Sequence, residues 1–185
     1  MKEFTTKSLF EAVHTKKKSL NVMARTMIVI PEDERNDYWG MYDNDCFWRC
    51  VSYLMDNDIT EACAASWAYD WFVSEYGLIS ADYYLSTYND SGIARSEMRK
   101  FLRANDMMVG DNANNQIVGL LHTSDLDYYK NNPNIPAYGN HNIILEYVDP
   151  DGSCQMYDPQ HNVRFTASAS ERERYFVPIN YGNID

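Results

Sequence analysis

The apolar positions of this chain fall at helical spacing through its middle and in short strand-like runs through its second half. The run Asn44-Asp45-Cys46-Phe47-Trp48-Arg49-Cys50-Val51-Ser52-Tyr53-Leu54 predicts a core helix that starts near Asp45 or Cys46. A second helix is predicted from Thr60 to Tyr76, with Glu61 in its first turn and Gly77 placed to end it as a left-handed cap. Its Trp67, Trp71, Phe72, Val73 and Tyr76 are expected to face inward, as core rather than as a cofactor site. A loop dense in Tyr, Asp and Asn runs from Ser80 to Gly92. The third helix, Ile93 to Ala104, then turns Met98, Phe101 and Leu102 to one side and the bases Arg95, Arg99, Lys100 and Arg103 to solvated ones.

Strands follow. Gln116 to Leu121 is short and apolar, His141 to Val148 is strand-like, and a shorter run ending at Asp158 is placed to pair with it. Residues 123 to 140 between them, with Pro133 and Pro136, read as a long loop that leads into His141, a candidate lid or specificity wall. Tyr175 to Ile179 is a closing strand, and Pro178 predicts that it lies at a sheet edge. Helices first and antiparallel strands afterwards define an α+β class.

The chemistry lies in three residues of that layout. Cys46 heads the core helix, His141 opens a strand 95 residues later, and Asp158 ends the next strand after a further 17. A helix start places partial positive charge at the sulfur, an imidazolium adds a full charge, and a carboxylate on the far ring nitrogen fixes the tautomer. Nucleophile, base and orienting acid are the parts of a thiol triad. Cys50, one turn further into the helix, reads as core, and His122, at the end of its strand, is the rival base but lacks a carboxylate at a pairing distance. His161 and Asn162 are read as turn or rim residues. His161 with Asp158 would make a metal pair, but spacing supplies no third ligand, so no metal or cofactor is expected.

A helix-borne Cys, a strand-borne His and an Asp on the next strand, with the stretch Tyr157-Asp158-Pro159-Gln160, resemble the papain-like fold. The nearest likeness is to its bacterial group of peptidases, amidases, glutamine deaminases and effector toxins, over about residues 36 to 180. The resemblance implies a helical half carrying Cys46, packed against an antiparallel sheet carrying His141 and Asp158, with the cleft between. Plant-type and animal members have a Gln six residues before the Cys, where this chain has Gly40. Asp45 stands where a small residue is usual, and Phe47 follows the Cys. The oxyanion donor therefore falls to another group. Asn44 with the backbone N–H of Cys46 is one choice, Asn44 serving equally well as helix N-cap; Tyr42 and Asn36 are further donors. Trp48, Asn140 and Gln160 are candidate cleft residues.

Composition narrows the function further. The 185 residues carry 45 % hydrophobic side chains, enough for a sizeable core without disulfides, and the 15 Tyr suit core margins and wet binding surfaces. The formal charge of −11 disfavours nucleic acid and anionic membranes. Residues 1 to 35 hold seven Lys or Arg against five Asp or Glu, which leaves nine against 22, or −13, for residues 36 to 185. That division marks an N-terminal arm or propeptide, with a helix from Thr6 to Thr15, the bases Lys16, Lys17 and Lys18, and a strand from Met23 to Ile30, ahead of the catalytic domain. The arm is a solvated segment or a docking device for an acidic partner or a second copy. No secretory signal or 18-residue apolar run is seen, and the four Cys (46, 50, 63, 154) form neither zinc spacing nor a disulfide framework. A cytoplasmic setting, or export without a cleavable signal, is expected.

The expected activity is hydrolysis of an amide, a peptide bond in a protein or peptide substrate first, through a Cys46 thioester. Glutamine deamidation and an effector toxin use the same steps. A binding or structural module that has lost turnover is the alternative from another class, favoured by the anionic Asp45 beside the sulfur.

Overall fold

The computed structural model describes residues 44–77, 92–108 and 117–181. Among them five helices and a five-stranded antiparallel sheet form an α+β fold. The expected arm helix, arm strand and Tyr-rich loop, together with Asn36, Gly40 and Tyr42, lie outside the described residues.

α1 (Cys46–Asp56) begins immediately after Asp45 and stops at Asn57, whose left-handed φ of 54° turns its N–H back to the carbonyls of Ser52 and Tyr53. α2 (Glu61–Tyr76) is capped by the Thr60 hydroxyl, which accepts the Cys63 N–H at 3.3 Å. Gly77 does take a positive φ of 80°, but its ψ of 160° carries the chain away extended rather than into the left-handed helical cap expected of it. α3 (Arg95–Ala104) starts two residues later than its apolar pattern suggests, because Ala94 is still extended. The two starts are tied together by Arg49, which pairs with Asp45 at 2.5 Å and Glu61 at 2.9 Å and donates to the Ile59 carbonyl.

These helices bury an aromatic core centred on Phe101. Phe47, Trp48, Trp67 and Trp71 all present edge-to-face contacts to its ring, at centroid distances of 5.9, 5.1, 6.2 and 5.2 Å. Truncating one such ring to Ala costs about 3–5 kcal/mol. Trp48 belongs here rather than in a cleft: it is 3 % exposed, and its position on α1 turns it into the helical layer. The indole N–H groups find carboxylates, Trp67 on Asp56 and Trp71 on Glu97, at 2.8 and 2.7 Å.

The sheet comprises β1 (Ile117–Leu121), β2 (His141–Val148), β3 (Cys154–Asp158), β4 (Val163–Ala167) and β5 (Phe176–Pro178), in the order β4-β3-β2-β1-β5. β2 and β3 pair as expected, and the strand holding Pro178 lies at the edge, against β1. Strand alternation gives the sheet two buried faces. Val118, Ile144 and Tyr157 pack toward the helices, while Leu121, Ile143, Leu145, Met156 and Phe165 form a second cluster on the other side. That second face is covered from the segment expected to be an unbroken loop. It contains a 3-10 turn, Thr123–Asp125, and α4 (Asp127–Asn131), which contributes the buried Tyr129. β4 and α5 (Ala169–Tyr175) are also absent from the pattern reading, since both expose polar side chains. A capping box between Ser168 and Glu171 starts α5. Among the described residues no helix is long and apolar enough to cross a membrane.

Gly119 is where β1 meets β5. A Cβ there would meet the Phe176 ring and come within 2.8 Å of the Val177 carbonyl oxygen. Gly119→Ala is therefore expected to lower stability by about 1–3 kcal/mol through overpacking, measured by urea unfolding. Unchanged stability would mean that β5 does not sit on β1 as described.

Candidate active site

Cys46 is the first residue of α1 and half-buried, whereas Cys50, Cys63 and Cys154 are buried; all four are free thiols. Burial, with the nearby Cys46, Asp158 and Asp45, pushes the Cys50 thiol well above its ordinary range, which disqualifies it as the nucleophile. The Asp45 side chain makes no capping bond to the first N–H groups of α1. Asn44 occupies the turn before it. The N-cap position falls to Asp45 instead.

His141 and Asp158 come together because β2 and β3 are neighbours and strand alternation puts both side chains on the same face. Nε2 of His141 stands 2.9 Å from Oδ2 of Asp158, close enough for an ion pair but off the line of a well-directed hydrogen bond. The Cys46 sulfur contacts the same imidazole. Burial alone would lower the imidazole pKa; contact with Asp158, contact with the Cys46 sulfur and the charge on both outweigh it and raise it to about 10.

Asp158 is the most heavily bonded group in the site. Its Oδ2 accepts the Tyr129 hydroxyl at 2.6 Å and Nδ1–H of His161 at 2.8 Å, besides facing His141. Its Oδ1 accepts the backbone N–H groups of Gln160 at 3.0 Å and His161 at 3.3 Å, closing the turn that starts β4. Burial acts to raise this carboxyl, but the bonds from His141 and His161, the His141 charge and the Tyr129 bond hold it well below the usual carboxylate range. Tyr129 is displaced the other way, its hydroxyl raised by burial and by the anion it serves.

The loop into β2 is fastened at its ends. Tyr138 N–H donates to the Thr123 hydroxyl at 2.7 Å, and that hydroxyl donates to the Tyr138 carbonyl at 3.2 Å. The Tyr138 ring consequently packs beside both imidazoles, 5.1 Å from His141 and stacked on His161 at 5.9 Å, while the two imidazoles are 5.6 Å from each other. His122 is exposed beside β1, and no contact brings it to the thiol. Asn140 is exposed next to His141, and Gln160 enters the site through its backbone N–H.

Three residues were not foreseen in these roles. Tyr129 was concealed because its segment reads as loop. His161 was read as a turn or rim residue, or with Asp158 as a metal pair, and not as a donor that supports the carboxylate. Asn142 was passed over because it adjoins His141 on a strand, where alternation argues for the opposite face; its amide oxygen accepts the Cys46 S–H at 3.4 Å. His141 also supplies the third ligand that spacing alone did not provide: with Asp158 and His161 it forms a group whose donor atoms lie within 4.8 Å of one another. Oδ2 of Asp158, the atom that both imidazoles face, also accepts the Tyr129 hydroxyl.

Family models, curated proteins and solved structures were all compared with the chain, and none matches.

Asp45 gives this site a pH signature. Burial raises its pKa from 3.8 to about 6, against the charge and hydrogen bond of Arg49. A raised carboxyl costs stability when it ionises, so the cost is absent at low pH and complete above about pH 6. Asp45→Asn lacks that cost. Relative to the wild type it is expected to gain about 2–3 kcal/mol between acidic and mildly alkaline pH in urea unfolding. A difference that does not vary with pH would contradict the burial of an ionisable group there.

Proposed function

We propose that this chain is a papain-like thiol hydrolase that cleaves an amide bond, a peptide bond first, through a thioester at Cys46. The observation that supports this best is the convergence of three groups from distant parts of the chain. An accessible thiol at a helix start meets an imidazole whose far nitrogen is held by a buried carboxylate. In this reading the thiol proton passes to His141 and the sulfur pair attacks the amide carbon, giving an oxyanion beside the Cys46 N–H and Asn44. His141 then protonates the departing nitrogen as the C–N bond breaks. It next takes a proton from water, whose oxygen displaces the sulfur and returns the thiol. Asp158 remains ionised throughout and stabilises the imidazolium. The acidic body of the protein suits neutral or basic substrates, and four free thiols suit a reducing, cytoplasm-like compartment.

One observation favours the inactive-module reading. The Asp45 carboxylate lies beside the nucleophile with its Oδ1 unbonded, and a negative charge there opposes a thiolate. Turnover separates the two readings. In an intact-mass screen over mixed peptide and glutamine-containing substrates, the wild type is expected to release product. Cys46→Ala should lose that activity without a lowered melting temperature, Cys50→Ala should keep it, and Asp158→Asn should keep a remnant reduced by about 10²–10⁴. Product release by Cys46→Ala, or equal damage from Cys50→Ala at unchanged stability, would refute the assignment.

A further inference from the structure

Asn142 stands where two neighbours make opposite demands on one sulfur. It is 1 % exposed, and it follows His141 in the chain. Because β2 opens at the helix start, the sulfur is reached by the ring of the first strand residue and by the amide of the second. The amide has one favourable orientation. Its Nδ2 faces the Gly119 carbonyl oxygen at 3.5 Å and the Met98 sulfur at 3.6 Å, both acceptors. Reversing the amide would set its oxygen against both of them. The oxygen is thereby directed at Cys46, where it accepts S–H and repels a thiolate, while the imidazole on the other side takes the proton and attracts the anion.

We propose that Asn142 is a positioning residue that restrains the resting nucleophile, holding part of the population as the thiol until a substrate draws the sulfur to His141. This deepens the hydrolase reading and rests on it. The step takes place in the form of the Cys46–His141 pair that holds one proton between them: the S–H proton passes from the Asn142 oxygen's side to the ring nitrogen of His141, with the sulfur pair left to attack. No other reactant is needed. The charged and titratable groups around the sulfur are His141, Asp158, Asp45 with Arg49, and Cys50, and a substitution at residue 142 removes none of them.

The test is alkylation of Cys46 by iodoacetamide at neutral to mildly alkaline pH, followed by peptide mass, in variants whose melting is checked first. Asn142→Leu removes the oxygen and is expected to alkylate about fivefold to tenfold faster than the wild type, the change that loss of one hydrogen bond to the thiol form allows. Asn142→Asp places an anion there and is expected to alkylate more slowly. A role limited to packing would move both variants the same way or neither, and that result overturns the proposal. Should Asn142→Leu fail to fold, Asn142→Asp decides alone, and alkylation as fast as in the wild type or faster overturns it. His141→Ala separates this inference from the reading beneath it. Slowing by His141→Ala without opposite signs at position 142 removes Asn142 and leaves the thiol–imidazole pair. Opposite signs with no slowing by His141→Ala support the hold of Asn142 on the sulfur and overturn the hydrolase reading.

Discussion

The architecture of the site depends on a buried anion. Asp158 has no exposed surface, and a carboxylate in that position is tolerated only if its charge and lone pairs are matched by donors. Five groups meet it, from α4, from the start of β2 and from the turn between β3 and β4. Each has its own structural reason to be there. Tyr129 also packs against Phe165, His141 is fixed by the register of β2, and the two backbone N–H groups belong to the Asp-Pro turn. The carboxylate thus fastens the second face of the sheet to the strand end that meets Cys46. Removing one donor would leave a charge under-compensated, a larger penalty than an ordinary surface bond implies.

From that anchor the electrostatics of the cleft follow in sequence. A firmly ionised Asp158 favours the imidazolium at His141, and in the proposed mechanism that imidazolium favours a thiolate at Cys46. Two features act the other way, the Asn142 oxygen and the Asp45 carboxylate. Arg49 moderates the second of these. It spans from Asp45 to Ile59 and Glu61, so the same guanidinium that locks α1 to α2 offsets the negative charge of the residue before Cys46.

Much of this was legible in the residues. The core helix starting at Cys46, its aromatic partners at Trp67, Trp71 and Phe101, and the two strands bearing His141 and Asp158 all follow from periodicity and spacing, because those segments bury a continuous apolar face. α4, β4 and α5 do not. Each is short, largely polar outward and stabilised by contacts distant in sequence, such as Glu171 receiving the Asp127 N–H. The supporting groups were missed for related reasons. Tyr129 reaches Asp158 across 29 residues and Asn142 reaches Cys46 across 96, separations over which local patterns carry no information. Trp48 shows the opposite error: its neighbourhood to Cys46 in the chain suggested the cleft, whereas one helical step turns it into the core.

The central claim is that a single imidazole is shared between the sulfur and the carboxylate. Side-chain nitrogen NMR of His141 across pH tests it most directly, in the wild type, in Cys46→Ala and in Asp158→Asn. The account predicts a wild-type midpoint raised toward about 10 that falls in each variant as one partner is lost. A midpoint near the ordinary histidine value of ~6.5 in all three proteins would contradict it.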